Sequence, residues 1–227
     1  MNTRSKRFSS AVPMFAIMGL LALSTSYAQQ ETKGGAVQCA NLVYAVNKTS
    51  VCFSDRFLQR LELETNVRTD SKFVRVQLDS NDLYKYPFSI MTGEGAFSLT
   101  PKERQQLKYY VTHGGFLLAS SGCSDPGWTR SFRNEMTQIF PDTKLTAVPL
   151  DHPIYRTVYA VKSVETTHAR HKAQLEAITL NGNIVVIFSA DGLNDTAHAQ
   201  NCCCCGGDEI GEAEYINVNI LSYAMFH

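Results

Sequence analysis

The sequence has no excess of charge of either sign. It contains 21 Lys and Arg residues and 21 Asp and Glu residues. Without the basic N-terminal segment described below, 18 basic and 21 acidic residues remain, which gives a net charge of −3. A protein that binds nucleic acid through its phosphates needs a basic surface. The composition therefore argues against a nucleic-acid partner.

Long hydrophobic runs, internal repeats and linker-like segments are also lacking. The apolar run from Ala11 to Leu23 is shorter than the roughly 20 residues that a membrane-spanning helix needs. With 227 residues, the chain is long enough for one α/β domain with a substantial core. We therefore expect a single domain over residues 40–227 and no transmembrane span in the mature chain.

The N-terminal segment has the pattern of a secretory signal peptide. Three basic residues within the first seven positions precede the apolar run, and Ser26-Tyr27-Ala28 places small residues at positions −3 and −1 of a cleavage site. We predict a signal peptide over residues 1–28, a flexible leader over residues 29–39, and export to the bacterial periplasm or the extracellular space. A retained N-terminal anchor is the alternative. All seven cysteines follow this segment, and export permits disulfides.

The most clearly marked structural unit lies between Tyr86 and Asp125. The apolar run Phe88 to Met91 predicts a buried parallel strand. Thr100-Pro101-Lys102-Glu103 is a capping box with proline at the first helical position, and it predicts a helix start. A second apolar run, Phe116 to Ala119, predicts the next strand, so that the unit is a parallel β-α-β element.

The flanking regions show similar patterns. Asn181-Gly182 fits a type I′ turn and predicts a late β-hairpin between the apolar runs on either side of it. Residues 161–172 are mixed and basic and are interpreted as a surface segment. The other predicted elements are strands at Leu42–Val46 and Phe73–Leu78, a helix after Ser54, a helix from Asp125-Pro126 that Pro141 ends, and a final helix over Tyr215–Phe226.

Three motifs, in this order along the chain, carry a resemblance to a known family. They are Thr92-Gly93-Glu94-Gly95, His113-Gly114-Gly115-Phe116 and Asp151-His152-Pro153. From Ala40 to the C-terminus, the chain resembles the bacterial family called domain of unknown function 4159. Members are assigned to the class I glutamine-amidotransferase-like superfamily, so the resemblance implies a flavodoxin-like three-layer α/β sandwich with a mostly parallel sheet. It implies no reaction, because a shared fold does not define a function.

The sequence departs from the true amidotransferases at the positions of their catalytic triad. Those enzymes place a nucleophilic cysteine on a glycine-flanked elbow at the end of a central strand, and Cys123 falls near that position. They complete the triad with a later His-x-Glu motif, whereas His198 is followed by Ala199-Gln200. No His-x-Glu follows Cys123 anywhere in the sequence, and the triad is therefore incomplete.

Four polar segments are expected to converge at one edge of the sheet, because each follows a predicted parallel strand. Open α/β sheets bind their ligands at this carboxyl edge. The polar and glycine residues there are predicted to bind a small ligand or cofactor through Asn47, Gly93, Gly95 and Gly122. The four segments are Asn47-Lys48, Gly93-Glu94-Gly95, Gly122-Cys123 and Asp191 to Gly207.

A run of four cysteines, Cys202, Cys203, Cys204 and Cys205, lies in the last of these segments. One interpretation is structural disulfides, with Cys39, Cys52 or Cys123 as partners. The other is a thiolate-rich site for zinc, copper(I) or iron–sulfur, in which two of these cysteines act together with His198 or with Cys123, and Asp195 is a further candidate ligand. The spacing matches no standard zinc motif of separated C-x-x-C pairs, so both interpretations stay open.

Two functions from different classes follow. The first is an accessory module that binds a small ligand or a metal at the carboxyl edge. The second is a cysteine-dependent hydrolase of a small amide or ester, with Cys123 as nucleophile, His198 as base and Glu94 as a further acid or base. The absent His-x-Glu favours the first. The sequence leaves open whether the protein is an enzyme and whether it has a protein partner.

Overall fold

A computed structural model of the protein describes residues 35–202 and 208–226, together with Met1. The predicted signal peptide, most of the predicted leader and Cys203 to Cys205 lie outside the described residues. The described chain forms a seven-stranded sheet. The strands are β1 (Cys39–Val43), β2 (Val74–Gln77), β3 (Phe88–Gly93), β4 (Phe116–Ser121), β5 (Thr146–Ala147), β6 (Leu175–Leu180) and β7 (Asn183–Ser189). Their order across the sheet is β2-β1-β3-β4-β7-β6-β5.

The sheet is mostly parallel, as predicted. Strands β2, β1, β3, β4 and β7 pair in parallel, whereas β6 and β5 are added in antiparallel fashion at one side. The helices are α1 (Arg56–Glu64), α2 (Pro101–Thr112), α3 (Pro126–Ile139) and α4 (Ala213–Phe226). Helices α1 and α4 contact each other on one face of the sheet, and α2 and α3 contact each other on the other face. This arrangement is consistent with a three-layer sandwich.

Alternating side chains of the central strands form the two cores between these layers. Phe88 and Ile90 of β3 pack with the core under α1 and α4. Met91 of the same strand packs with the core under α2 and α3. This alternation follows from the period of two in a strand, and burial of both faces explains why apolar residues of this strand point to both sides of the sheet.

The local signals for helix starts are confirmed. The Thr100 hydroxyl accepts the Glu103 N–H at 3.2 Å, and Glu103 Oε2 accepts the Thr100 N–H at 2.7 Å. The Asp125 carboxylate accepts the Trp128 N–H at 2.7 Å and caps α3. Glu103 also has a distant partner, because its Oε1 accepts the N–H of Ala45 at 2.6 Å and so links α2 to the end of β1.

The predicted hairpin is also confirmed, with positive φ angles of 51° at Asn181 and 84° at Gly182, as a type I′ turn requires. The first strand differs from its prediction. It ends at Val43, because Ala45 and Val46 adopt positive φ angles and the chain reverses between Tyr44 and Lys48.

Residues 161–172 are only partly a surface segment. The side chains of Val161 and Val164 join the core under α1 and α4, whereas His168 and His171 are exposed.

No helix within residues 35–202 and 208–226 has the length and apolar character needed to cross a membrane.

Candidate functional site

The carboxyl ends of β1, β3, β4 and β7 bring the four predicted segments together. Lys48 Nζ donates to the backbone oxygen of Glu94 at 3.0 Å, joining the loops after β1 and β3. Gly122 lies so close to β3 that an added Cβ would be 3.0 Å from the backbone oxygen of Gly93. Ser124 Oγ donates to the backbone oxygen of Asp208 at 2.6 Å, which joins the loops after β4 and β7.

A cavity of about 350 Å³ opens between the loops that follow β1 and β3. Gly93 and the exposed Glu94 form one side of it, so part of the predicted ligand-binding segment does face a cavity. Asn47, Gly95 and Gly122 are not among its lining residues. The other side of the cavity is formed by Tyr44 and by residues 48–52.

Gly93 has a packing role that the sequence does not reveal. An added Cβ would lie 2.5 Å from the Tyr44 hydroxyl and 3.2 Å from Trp128 Nε1. The Tyr44 hydroxyl donates to the backbone oxygen of Thr92 at 3.1 Å and accepts a hydrogen bond from Trp128 Nε1 at 2.6 Å. Burial raises the pKa of Tyr44 to about 12, so the phenol stays neutral. A glycine is therefore needed at position 93 whether or not a ligand approaches.

A buried polar network holds the loop after β7 against the sheet. Asn194 Oδ1 accepts the Ser120 hydroxyl at 2.7 Å, and its Nδ2 donates to Thr92 Oγ1 at 3.2 Å. Ser120 Oγ also accepts the N–H of Leu193 at 2.8 Å, and Asn217 Nδ2 donates to the Leu193 oxygen at 2.8 Å. These positioning residues were missed from the sequence, although polar Asn217 inside the apolar pattern of α4 was a usable signal.

The loop after this network carries two of the predicted metal ligands, and α4 adds a third group. Asp195, His198 and Glu214 each offer one ligand atom, and these atoms lie within 4.8 Å of one another. His198 Nδ1 lies 2.8 Å from Asp195 Oδ1. Asp195 Oδ2 is buried and has no hydrogen-bond partner among the described residues. A buried carboxylate oxygen without a partner is costly unless a ligand satisfies it.

The third member of this cluster is held by arginines from α1. Glu214 Oε1 lies 2.8 Å from Arg60 Nε and 3.3 Å from Arg56 Nε. The hydrogen bond and charge of Glu214 raise the pKa of Arg60. Glu214 sits in the first turn of α4, so the contact between α1 and α4 brings its carboxylate to the loop after β7. The sequence offered no signal for this long-range placement.

A disulfide joins Cys52 to Cys202, with a Cα–Cα distance of 5.4 Å. This bond confirms the disulfide interpretation for Cys202 and corrects its assignment as a metal ligand, because a sulfur bonded to Cys52 is not a thiolate. The bond ties the loop after β1 to the loop that contains Asp195 and His198. The other predicted ligands of the run, Cys203, Cys204 and Cys205, lie outside the described residues.

Cys123 occupies the sharp turn between β4 and α3. Cys123 and Ser124 adopt left-handed backbone conformations, with φ angles of 49° and 53°. Such conformations are uncommon for residues other than glycine and are concentrated at turns and functional sites. The ring of His198, the predicted base, contacts the carboxylate of Asp195.

A second group of charged residues lies at the same edge. Burial alone would raise the pKa of Asp208. The backbone N–H groups of His168, Ala169 and Glu209, together with a Thr166 hydrogen bond, outweigh it and hold that pKa well below its usual range. His171 Nε2 lies 3.0 Å from Asp191 Oδ1. These contacts fasten the segment around residue 168 to the carboxyl edge.

Comparison with known proteins gives one family match. No curated protein matches the sequence. A family model described as Domain of unknown function (DUF4159) matches residues 39–225, a span that begins with β1 and reaches into the last turn of α4. The match covers most of the chain and includes every strand of the sheet and all the loops at its carboxyl edge. The chain therefore belongs to the DUF4159 family of domains of unknown function.

Proposed function

We propose that this domain is a metal-binding module whose protein ligands are Asp195, His198 and Glu214. The observation that carries the proposal is the convergence of the three groups within 4.8 Å, from the loop after β7 and the first turn of α4. Asp195 Oδ2 is the buried oxygen whose hydrogen-bonding capacity a metal would satisfy. The Cys52–Cys202 disulfide holds the ligand loop in place and so reduces the entropy lost on binding.

The donor set favours zinc. One imidazole nitrogen and two carboxylate oxygens suit Zn²⁺, with metal–ligand distances of about 2.0–2.2 Å, whereas Ca²⁺ and Mg²⁺ prefer oxygen donors throughout. The His198 side chain is 43% exposed, so it has room to reorient towards a bound metal ion. Three protein ligands leave a fourth position open for water or another ligand.

The surrounding architecture supports a ligand site at this edge. We infer that the domain is flavodoxin-like, because its five parallel strands follow the order 2-1-3-4-5 when β7 is counted as the fifth. In that order the topological switch point lies between β1 and β3, where the cavity beside Lys48 and Glu94 opens. We also propose that the domain belongs to the amidotransferase-like superfamily. We propose further that the protein is exported, and the disulfide supports this proposal because disulfides persist in oxidising compartments.

Zinc titration of the chelator-treated protein tests the proposal. We expect one zinc ion per chain, and we expect His198→Ala and Asp195→Asn to weaken its binding at least about 100-fold, because even groups that only orient a metal ligand contribute 10- to 100-fold. Asn tolerates the left-handed backbone at position 195, where φ is 52°, so the variant should keep the fold. Calorimetry or competition with a fluorescent zinc indicator measures the affinity.

The matched control is His113→Ala. His113 is an exposed histidine that follows α2, before β4, and so lies at the amino edge of the sheet. Its replacement should leave zinc affinity unchanged. Equal zinc binding by the wild-type protein and the His198→Ala variant would show that the cluster is not the metal site.

The left-handed conformation of Cys123 favours a second candidate, the cysteine-dependent hydrolase. This function requires a thiolate that forms well below the ordinary thiol pKa of about 8.5, so Cys123 should react with iodoacetamide at pH 6 much faster than a model thiol. Mass spectrometry of the peptide that contains Cys123 follows the reaction, and Cys123→Ser serves as the blank. A Cys123 that is not alkylated, or that reacts no faster than the model thiol, excludes this mechanism.

A further inference from the structure

The charges around the Asp195–His198–Glu214 cluster indicate what fills the open metal position. Arg56 and Arg60 both contact the Glu214 carboxylate. Without a metal, the two positive charges of these guanidinium groups balance the two negative charges of the Asp195 and Glu214 carboxylates. A divalent ion would therefore leave the cluster with excess positive charge.

The carboxylate of Glu209 also lies nearby but does not remove this excess. Glu209 Oε2 accepts hydrogen bonds from the backbone N–H and the hydroxyl of Thr196, at 3.0 and 2.9 Å. Its single negative charge offsets only half of what a divalent ion adds. Two acidic residues at the ends of α1 have partners of their own: Asp55 is paired with Lys72 at 2.8 Å, and Glu64 accepts a hydrogen bond from the Tyr159 hydroxyl at 2.8 Å. A ligand that completes the metal's coordination should therefore be an anion.

Of the two arginines, Arg56 is the one available to a ligand. The Arg60 side chain is 28% exposed, has the shorter contact to Glu214 and lies over the ring of Tyr215, 5.8 Å from its centroid. The Arg56 side chain is 45% exposed and contacts Glu214 only at 3.3 Å through Nε. A guanidinium has five N–H donors, and the planar fork matches a carboxylate or a phosphate.

We propose that the bound zinc ion and Arg56 together recognise an oxyanion, the carboxylate or phosphate group of a small ligand. One ligand oxygen occupies the open metal position, and a second accepts hydrogen bonds from the Arg56 guanidinium. This inference rests on the proposed zinc site, because without the metal the cluster has no excess positive charge to attract an anion.

Calorimetric titration of the full chain with inorganic phosphate, and separately with acetate, tests the inference. The zinc-loaded wild-type protein should bind at least one of the two anions, and the chelator-treated protein should bind neither. Arg56→Gln should weaken anion binding about 10-fold or more, since it removes charge-assisted hydrogen bonds, and should change zinc affinity by less than about 3-fold. Arg130→Gln, at an exposed arginine on α3, should leave both affinities unchanged.

The outcomes separate the two proposals. If the wild-type protein takes up no zinc, the metal site and this inference both fail. If zinc binds but neither anion does, or if anion binding survives in the chelator-treated protein or in the Arg56→Gln variant, only this inference fails. A large loss of zinc affinity in Arg56→Gln would mean that Arg56 acts through Glu214 and would also overturn it. The anion with the higher affinity identifies the ligand group.

Discussion

Loss of the Cys52–Cys202 disulfide is expected to lower the melting temperature of this protein by roughly 10–20 °C. The two cysteines are separated by 150 residues, so the bond closes a long loop in the unfolded chain. In the chain-entropy model the bond limits the freedom of the unfolded state, and a loop of this length corresponds to about 5 kcal/mol of stability. In a domain of this size each 1 kcal/mol shifts the melting temperature by about 2–4 °C.

Cys52→Ser is the variant that measures this effect, because it removes the disulfide partner of Cys202 without leaving a thiol in the loop after β1. Thermal denaturation is followed by circular dichroism. Val51→Ala changes a neighbouring side chain that is 60% exposed and should alter stability by less than about 0.5 kcal/mol. A melting temperature for Cys52→Ser within 2 °C of wild type would show that the bond contributes little to the fold.

Truncation of the single tryptophan should have an effect of similar size. Trp128 is fully buried and stacks on Phe132, with ring centroids 5.3 Å apart. Its Nε1 donates to the Tyr44 hydroxyl at 2.6 Å, under Gly93 at the carboxyl edge. Trp128→Ala removes these contacts and leaves a cavity, so we expect a loss of about 4 kcal/mol. Urea denaturation monitored by circular dichroism measures the free energy of unfolding.

Trp128→Phe is the matched control for this prediction. It keeps an aromatic ring in the stack and loses the hydrogen bond to Tyr44, so the loss should be about 1–2 kcal/mol. If Trp128→Ala and Trp128→Phe had the same small effect, the packing of the indole against Phe132 would not be a main support of this core.

Where a structural feature depends on neighbouring residues, the sequence predicts it well. The capping box at Thr100 and Glu103, the start of α3 at Asp125 and the Asn181-Gly182 turn all form as predicted. In each case the hydrogen bonds or backbone angles involve residues no more than three positions apart. Such features can therefore be predicted without knowledge of the tertiary structure.

Features that depend on distant residues are predicted less well. The end of β1 is misplaced because Glu103, far along the chain, accepts the N–H of Ala45 and stabilises an early reversal. The glycine at position 93 suggests a ligand, but its nearest neighbours are Tyr44 and Trp128. In both cases the atoms that determine the local structure belong to other helices and strands. They come into contact with the residue only when the layers of the fold pack together.

The sequence by itself determined the family, the β-α-β pattern and the edge at which Asp195 and His198 lie. Parallel strands place their carboxyl ends together, and this rule needs only the order of elements. Only the tertiary structure decided that Cys202 bonds to Cys52 and that Glu214 joins Asp195 and His198. These contacts depend on how α4 packs against α1 and how two loops from separate strands meet, and no local pattern encodes such distances.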